Sequence, residues 1–306
     1  MCEYPSPIVV ICAVYCMPKS HKAFQTPSHW LTVDELTRVI SAFTSLGTRR
    51  VRITGGEPLT RPEILDISKQ LSSITALEDL SLSTNAVQLH KYAQPLREAG
   101  ISRINVSLDT LSSSRFKTIT QGKLDKVING LLAAKKAGFD PIKINMVVMK
   151  GVNDDEIFDM VKFCIENGFA LRFIETMPIG VNGREASERY INLQTVKEKL
   201  AQHYNLIPDI MPGGGPARYV RIDGTDAKIG FITPISQHFC ETCNRVRLSA
   251  EGTLYMCLGQ EHNMDLRSPL RSGISDDELK KLILQAIELK PERHEFDSNP
   301  QKIVRF

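Results

Sequence analysis

The chain is 306 residues long, 42% hydrophobic and 24% charged, with a net charge of +3. That is material for one large α/β barrel with an appendage, or for two domains, and it excludes a disordered or fibrous chain. The charge is too small to argue for nucleic acid, and the longest apolar run, 8–16, is far short of the roughly 20 residues of a spanning helix, so no membrane segment is expected. Seven cysteines, an odd number with no basic leader, predict a reducing, cytoplasmic compartment and metal or redox use instead of disulfides.

After the first eighteen residues a helix–strand rhythm begins. Thr32 and Glu35 read as a capping box, and Leu36, Val39, Ile40 and Phe43 follow at helical spacing until Gly47. Strands are expected at 50–54, 80–83, 104–108, 142–149 and 171–174, with helices at 62–71, 89–99, 124–137 and 155–167 between them. This alternation predicts a parallel sheet in an open, partial barrel. Cys164, in an apolar helical run, is expected to be a buried small hydrophobe. From 181 to 215 the periodicity weakens, with a helix at 195–204 and a flexible connector at Gly213, Gly214 and Gly215. Gly215 is the expected boundary between a barrel, 1–215, and a C-terminal region, 216–306. Strands at 218–222 and 228–233 then lead into a cysteine stretch, and an amphipathic helix at 276–289 follows.

In parallel α/β folds the ligand site forms at the carboxyl ends of the strands. There stand Gly55, Gly56 and Glu57; Ser83, Thr84 and Asn85; Ser107 and Asp109; Lys143 and Asn145; and Arg172, Glu175 and Met177. A Gly-Gly pair lets backbone approach a ligand closely, and Glu57 beside it can pair with a ligand ammonium. Lys143 and Asn145 share one strand face, expected to point into the barrel, where a lysine favours an anion. Helix capping accounts as well for Asp109 or Asn85 taken singly.

Cys240, Cys243 and Cys257 form C-x2-C-x13-C, with Arg245 and Arg247 on one face of the strand between them. Two thiolates from a tight turn and a third returning after a short excursion make a three-sided cup with one coordination position open. Two guanidinium forks beside it can hold an anion bidentately. Spacing alone also admits zinc, with His238 or His262 as the fourth ligand.

With Y-C-M-P at 15–18, R-I-T-G-G-E-P-L at 52–59 and C-x2-C-x-R-x-R-L at 240–248, the chain resembles the GTP 3',8-cyclase family of molybdenum-cofactor biosynthesis. These are radical S-adenosylmethionine enzymes with a partial barrel and a C-terminal extension, and the resemblance runs from Tyr15 to Phe306. It implies two [4Fe-4S] clusters and S-adenosylmethionine as cofactors, GTP as substrate and (8S)-3',8-cyclo-7,8-dihydroguanosine 5'-triphosphate as product. It further implies a flavodoxin-type reductant and a downstream cyclic pyranopterin monophosphate synthase, and it admits a homodimer. By motif it assigns Cys240, Cys243 and Cys257 to the cluster that faces GTP. Arg52, Ser83, Lys143, Arg172, Arg245, Val246 and Arg247 fall to GTP, and Tyr15, Gly56, Ser107 and Met177, with Glu57 beside them, to S-adenosylmethionine.

The opening departs from the family, whose other cluster needs C-x3-C-x2-C. Anchored on Y-C-M-P, Cys16 is the third cysteine, but Ala13 and Val9 occupy the other two positions. Cys12 and Cys16 do fit C-x3-C, with Lys19 where the third cysteine is required, so they are expected to be a remnant of that site. The family's opening, Y-V-R-I-S-V-T-D-R-C-N-L-R-C, has a nucleotide spelling that, read one base later, gives M-C-E-Y-P-S-P-I-V-V-I-C-A-V, which is residues 1–14 here. A frameshift equivalent to losing two bases just before Tyr15 is therefore expected, and at the other end the family's Gly-Gly terminus is missing beyond Phe306. Two readings stand beside the cyclase: a GTP- and cluster-binding relic without catalysis, which the broken motif favours, and a radical peptide-modifying enzyme, against which Lys143, Arg245 and Arg247 argue. Re-sequencing the start of the gene is expected to find C-x3-C-x2-C in the shifted frame, joined to Tyr15; its absence from every frame would refute the frameshift.

Overall fold

A computed structural model describes residues 27–177, 188–211, 213–258 and 262–293, and residues 8–12 through their backbone; Tyr15 and Cys16 lie outside the described residues. In chain order run β1 (Ile8–Cys12), α1 (Val33–Ser45), β2 (Arg50–Ile53), α2 (Ile64–Ser72), β3 (Asp79–Thr84), α3 (Leu89–Glu98), β4 (Arg103–Ser107), α4 (Ser113–Thr120) and α5 (Leu124–Lys136). Then come β5 (Ile142–Val148), α6 (Ile157–Asn167), β6 (Ala170–Glu175), α7 (Leu193–Ala201), β7 (Leu206–Asp209), β8 (Arg218–Ile222) and β9 (Lys228–Ile232). The chain continues with β10 (Arg245–Ser249), β11 (Thr253–Tyr255), β12 (Asn263–Asp265), α8 (Arg267–Arg271) and α9 (Asp276–Glu288).

The strands form one twelve-stranded sheet, ordered β12-β11-β10-β1-β2-β3-β4-β5-β6-β9-β8-β7. Neighbours from β10 to β9 are parallel, and antiparallel strands finish both flanks. The sheet is not closed, as expected of a partial barrel. One set of alternate residues is apolar: Val51, Ile53, Leu80, Leu82, Ile104, Val106, Ile144, Met146, Leu171 and Phe173 are each at most 4% exposed. They pack under helices whose apolar stripes, such as Leu36, Val39, Ile40 and Phe43 of α1, complete the core. The intervening residues, turned to the other face, are mostly polar, with Val147, Ala170 and Ile174 the apolar members on β5 and β6.

The Thr32–Glu35 capping box forms in both directions, and Cys164 is buried, its thiol pushed up to about 12 by burial. The helix expected at 195–204 is α7, displaced to begin behind its Asn192 cap. Several elements were not expected from the sequence, among them β11, β12 and α8. Helix α4 was hidden because its only buried residue is Phe116. Strand β7 is a flank strand broken in pattern by Pro208. The apolar opening supplies β1, between β10 and β2. β7 and β8, before and after Gly215, pair with each other, and the region after Gly215 contributes strands to both flanks. No helix among the described residues is long and apolar enough to cross a membrane.

Glu175, at the end of β6 and 1% exposed, fastens the segments around the barrel mouth. Its carboxylate accepts from Tyr190 Oη (3.1 Å), Leu193 N (3.4 Å), Ile235 N (3.0 Å), Ser236 N (3.0 Å) and Ser236 Oγ (2.5 Å). Glu175→Ala would leave these donors without their acceptor and is expected to cost about 3 kcal/mol in urea unfolding; an unchanged midpoint would contradict this fastening role.

Candidate functional site

Residues paired across parallel strands point to the same face, so the register dictates what lines the barrel. One row runs Arg52, Ser81, Arg103; the next runs Ser83, Asn105, Lys143; a third runs Ser107, Asn145, Arg172, Gly230 and, on β8, Tyr219. Ser81, Asn105, Lys143 and Arg172 are 2–4% exposed, Ser83 and Arg52 half-buried. Asn105 joins two rows: its Nδ2 donates to Ser83 Oγ (3.3 Å) and Leu82 O (3.2 Å), and its Oδ1 accepts from Arg172 Nη2. Arg172 also hydrogen-bonds the Tyr219 hydroxyl, and the Tyr219 ring lies 5.9 Å from Lys143 Nζ. Gly230 makes this possible, since a Cβ there would stand 2.8 Å from the Tyr219 ring and 3.1 Å from Arg172 Cγ.

The lumen is crowded with positive charge. Arg103 pairs with Asp79, which also accepts from Ser102 Oγ (3.1 Å). Beyond that neutralised pair stand Arg52, Lys143, Arg172 and Arg245. Burial, then Arg172, Arg245 and Arg103, pull Arg52 down to about 9. Burial, then Arg172, Arg103 and Arg52, pull Lys143 down to about 7. Arg52 Nε, Arg172 Nε and Asn145 Oδ1 are buried without a hydrogen-bond partner. Buried cations with unused donors suit a polyanion with several acceptor oxygens.

At the carboxyl-end rim, Gly56 and Ser107 are exposed and Met177 half-buried, so all three can meet a ligand there. Glu57 is half-buried beside them. Its carboxylate accepts from Thr84 Oγ1 (2.6 Å), Asn85 N (2.6 Å) and Leu59 N (3.1 Å), tying the end of β2 to that of β3. Burial raises its pKa against these bonds. In this loop Gly56 is exposed and Gly55 buried. Asp109 is structural too: its Oδ1 accepts from Val147 N (2.8 Å), and burial pushes its carboxyl up to about 6.

The cysteine stretch lies at the opposite end of the lumen. Cys240 and Cys243 bracket a 3₁₀ turn, closed by Cys243 N donating to Cys240 O (3.0 Å), just before the amino end of β10. In the β10–β11 pairing Arg247 faces Tyr255, which carries Cys257 back to the level of Arg245, two residues from Cys243. All three cysteines are half-buried and free. Burial raises the Cys243 thiol, but Arg245 and Lys290 outweigh it and hold it below its ordinary value, which favours the ligating thiolate. Arg245 and Arg247 share the lumen face of β10, with the Arg245 guanidinium 5.1 Å over the Phe239 ring. The Val246 side chain is 1% exposed in the core, so a ligand would meet its backbone. Among the described residues no three His, Cys, Asp or Glu side chains converge on a single ion.

Arg103, Asn105, Tyr219 and Gly230 were not anticipated from the sequence. Alternation with Ser107 would have placed Arg103 and Asn105 on the Lys143 face; Tyr219 depends on an antiparallel register that no local pattern carries.

Two family models match the chain: Radical SAM superfamily over residues 14–164 and Molybdenum Cofactor Synthesis C over 169–296. A GTP 3',8-cyclase of Hydrogenovibrio crunogenus is 48% identical, with 94% of this chain and 89% of that protein covered. One of Paracoccus denitrificans is 47% identical, covering 95% and 85%. Among solved structures, Streptococcus suis SuiB bound to S-adenosylmethionine has a TM-score of 0.57 at 15% identity, over 90% of this chain and 68% of that one, a likeness of fold alone.

Burial and Arg172 pull Lys143 down to about 7, and a bound polyanion would raise it again. Affinity for tripolyphosphate is therefore expected to fall as pH rises from 7 to 9, by up to about tenfold per unit. Lys143→Arg, which stays charged, should show a shallower fall, so that the difference isolates the lysine; identical slopes would contradict the assignment.

Proposed function

The chain belongs to the GTP 3',8-cyclase family of radical S-adenosylmethionine enzymes, and we propose that it holds GTP along the barrel lumen, between two cofactor ends. Members of this family convert GTP to (8S)-3',8-cyclo-7,8-dihydroguanosine 5'-triphosphate in molybdenum-cofactor biosynthesis, with [4Fe-4S] clusters and S-adenosylmethionine as cofactors. The observation that carries the reading is the set of buried lumen cations with unpartnered Nε groups on Arg52 and Arg172.

In this reading Arg52, Lys143 and Arg172 bind the triphosphate, Asn105 orients Arg172 and Ser83, and Arg245 and Arg247 reach the nucleotide from β10. Val246 contributes backbone only. The reaction joins two atoms of one nucleotide, so these residues act by holding the ribose against the base and by displacing water from both. Gly56, Ser107 and Met177 take S-adenosylmethionine at the rim, with Tyr15 as a further contact and Glu57 shaping the loop.

Cys240, Cys243 and Cys257 suit a [4Fe-4S] cluster: three free, half-buried thiols on one hairpin, with Arg245 and Lys290 lowering the thiol of Cys243. When bound, that cluster supplies an open iron position facing the nucleotide. The family's cofactors thus replace the zinc alternative with His238 or His262. The other cluster's donor set does not fit. Cys12 is a strand residue whose backbone is in register with Ser249, and Lys19 stands where the third cysteine of C-x3-C-x2-C is required. The chain as written therefore binds GTP and one cluster but does not cleave S-adenosylmethionine. An oxygen-sensitive, thiolate-held centre suits the cytoplasm, a flavodoxin-type reductant and delivery of product to a cyclic pyranopterin monophosphate synthase; a homodimer is compatible.

After anaerobic reconstitution this chain should carry about four irons, not about eight, and yield no 5'-deoxyadenosine from S-adenosylmethionine and dithionite. Replacing residues 1–14 by an opening that completes C-x3-C-x2-C should restore both. 5'-Deoxyadenosine from the unaltered chain would overturn the reading of its N-terminus, and iron retained in full by Cys240→Ala/Cys243→Ala would overturn that of the cysteines.

A further inference from the structure

The segment after α9 turns back onto the cysteine hairpin. Lys290 N donates to Ile287 O (2.9 Å), which ends the helix and aims the lysine inward, and its side chain is half-buried. Its Nζ donates to Arg245 O (2.9 Å), to Met256 O (2.8 Å) and to Cys243 Sγ (3.9 Å). An ammonium has three N–H donors, and here each has an acceptor. Two acceptors lie on the Cys243–Arg245 segment and the third immediately precedes Cys257, so one side chain bridges strands that approach the site from opposite directions. Three residues on, Arg293 Nη2 meets Glu241 Oε1 (3.0 Å), but that pair is largely exposed and contributes little.

We propose that Lys290 is the positioning residue of the cysteine site: it pins the Cys243 and Cys257 segments together and lends its charge to the Cys243 sulfur, raising the reduction potential of the bound cluster. This rests on the reading that Cys240, Cys243 and Cys257 hold that cluster. Reduction adds negative charge to the thiolate-bound iron, and a cation donating to one of the sulfurs stabilises the reduced form more than the oxidised one; hydrogen bonds to sulfur and local net charge are recognised determinants of these potentials. A lysine that served only as a strand pin would need its two carbonyl bonds and no contact with sulfur.

The test is a potentiometric titration, followed by electron paramagnetic resonance, of the full chain reconstituted with iron and sulfide. The unaltered chain is compared with Lys290→Arg, Lys290→Gln and Lys290→Met after matching for iron content and thermal midpoint. Lys290→Gln and Lys290→Met are expected to shift the oxidised–reduced equilibrium by about tenfold toward the oxidised form, ~59 mV lower for one electron, and Lys290→Arg to stay near the unaltered value. Cluster loss from the Gln and Met variants with retention in the Arg variant would also support the proposal. Equal potentials in all four proteins at equal iron content would overturn it. Failure of the underlying reading looks different: no cluster in the unaltered chain, or an unchanged one in Cys243→Ala.

Discussion

Mutual repulsion among cations on the inner face of one sheet is the constraint around which this molecule is arranged. Arg52, Lys143 and Arg172 project from β2, β5 and β6, and Arg245 from β10, into a space where Asp79, paired with Arg103, offsets Arg52 and Lys143 less than burial and the neighbouring cations oppose them. Such an arrangement costs stability, and the opposite face supplies what offsets it: an apolar surface from Val51 to Phe173 sealed under helices. The repulsion is also what makes the lumen selective, because a ligand must bring several negative oxygens to relieve it.

The frame that holds this charge depends on long-range polar ties more than on the chain's opening. Backbone carbonyls of Ser28, His29, Trp30 and Leu31 are taken by Arg271 (3.3 Å), Arg267 (2.9 Å), Arg271 (3.0 Å) and Arg61 (2.7 Å) respectively. Arg271 also pairs with Glu35 and Arg38 with Asp276, so the approach to α1 is fastened to the C-terminal helices. Strand β1 sits between β10 and β2 through parallel backbone pairing on both sides. Backbone pairing is indifferent to which apolar residues supply it, so residues 8–12 fill that slot through main-chain hydrogen bonds alone.

Much of this was legible in the sequence. The cap with two reciprocal bonds, Thr32 with Glu35, marks its helix from local chemistry alone. Period-two alternation placed Arg245 with Arg247 and Lys143 with Asn145 on shared faces, and both placements hold. What the chain hides is register. Asn105 becomes the link between Ser83 and Arg172 only when β3, β4, β5 and β6 are aligned, and Tyr219 reaches Arg172 only because Gly230 lies between them. The ties of Glu57 are hidden for a related reason: Thr84 and Asn85 arrive from the next strand to donate to its oxygens.

The most direct measurement is equilibrium binding of GTP and of guanosine to the full chain and to Arg172→Met, at one salt concentration. Lumen cations that hold the triphosphate should make GTP bind at least about a hundredfold more tightly than guanosine, ~2.7 kcal/mol, with most of that difference lost in Arg172→Met while the fold is retained. Equal affinities for GTP and guanosine, or an Arg172→Met variant that binds GTP as well as the unaltered chain, would contradict the central claim.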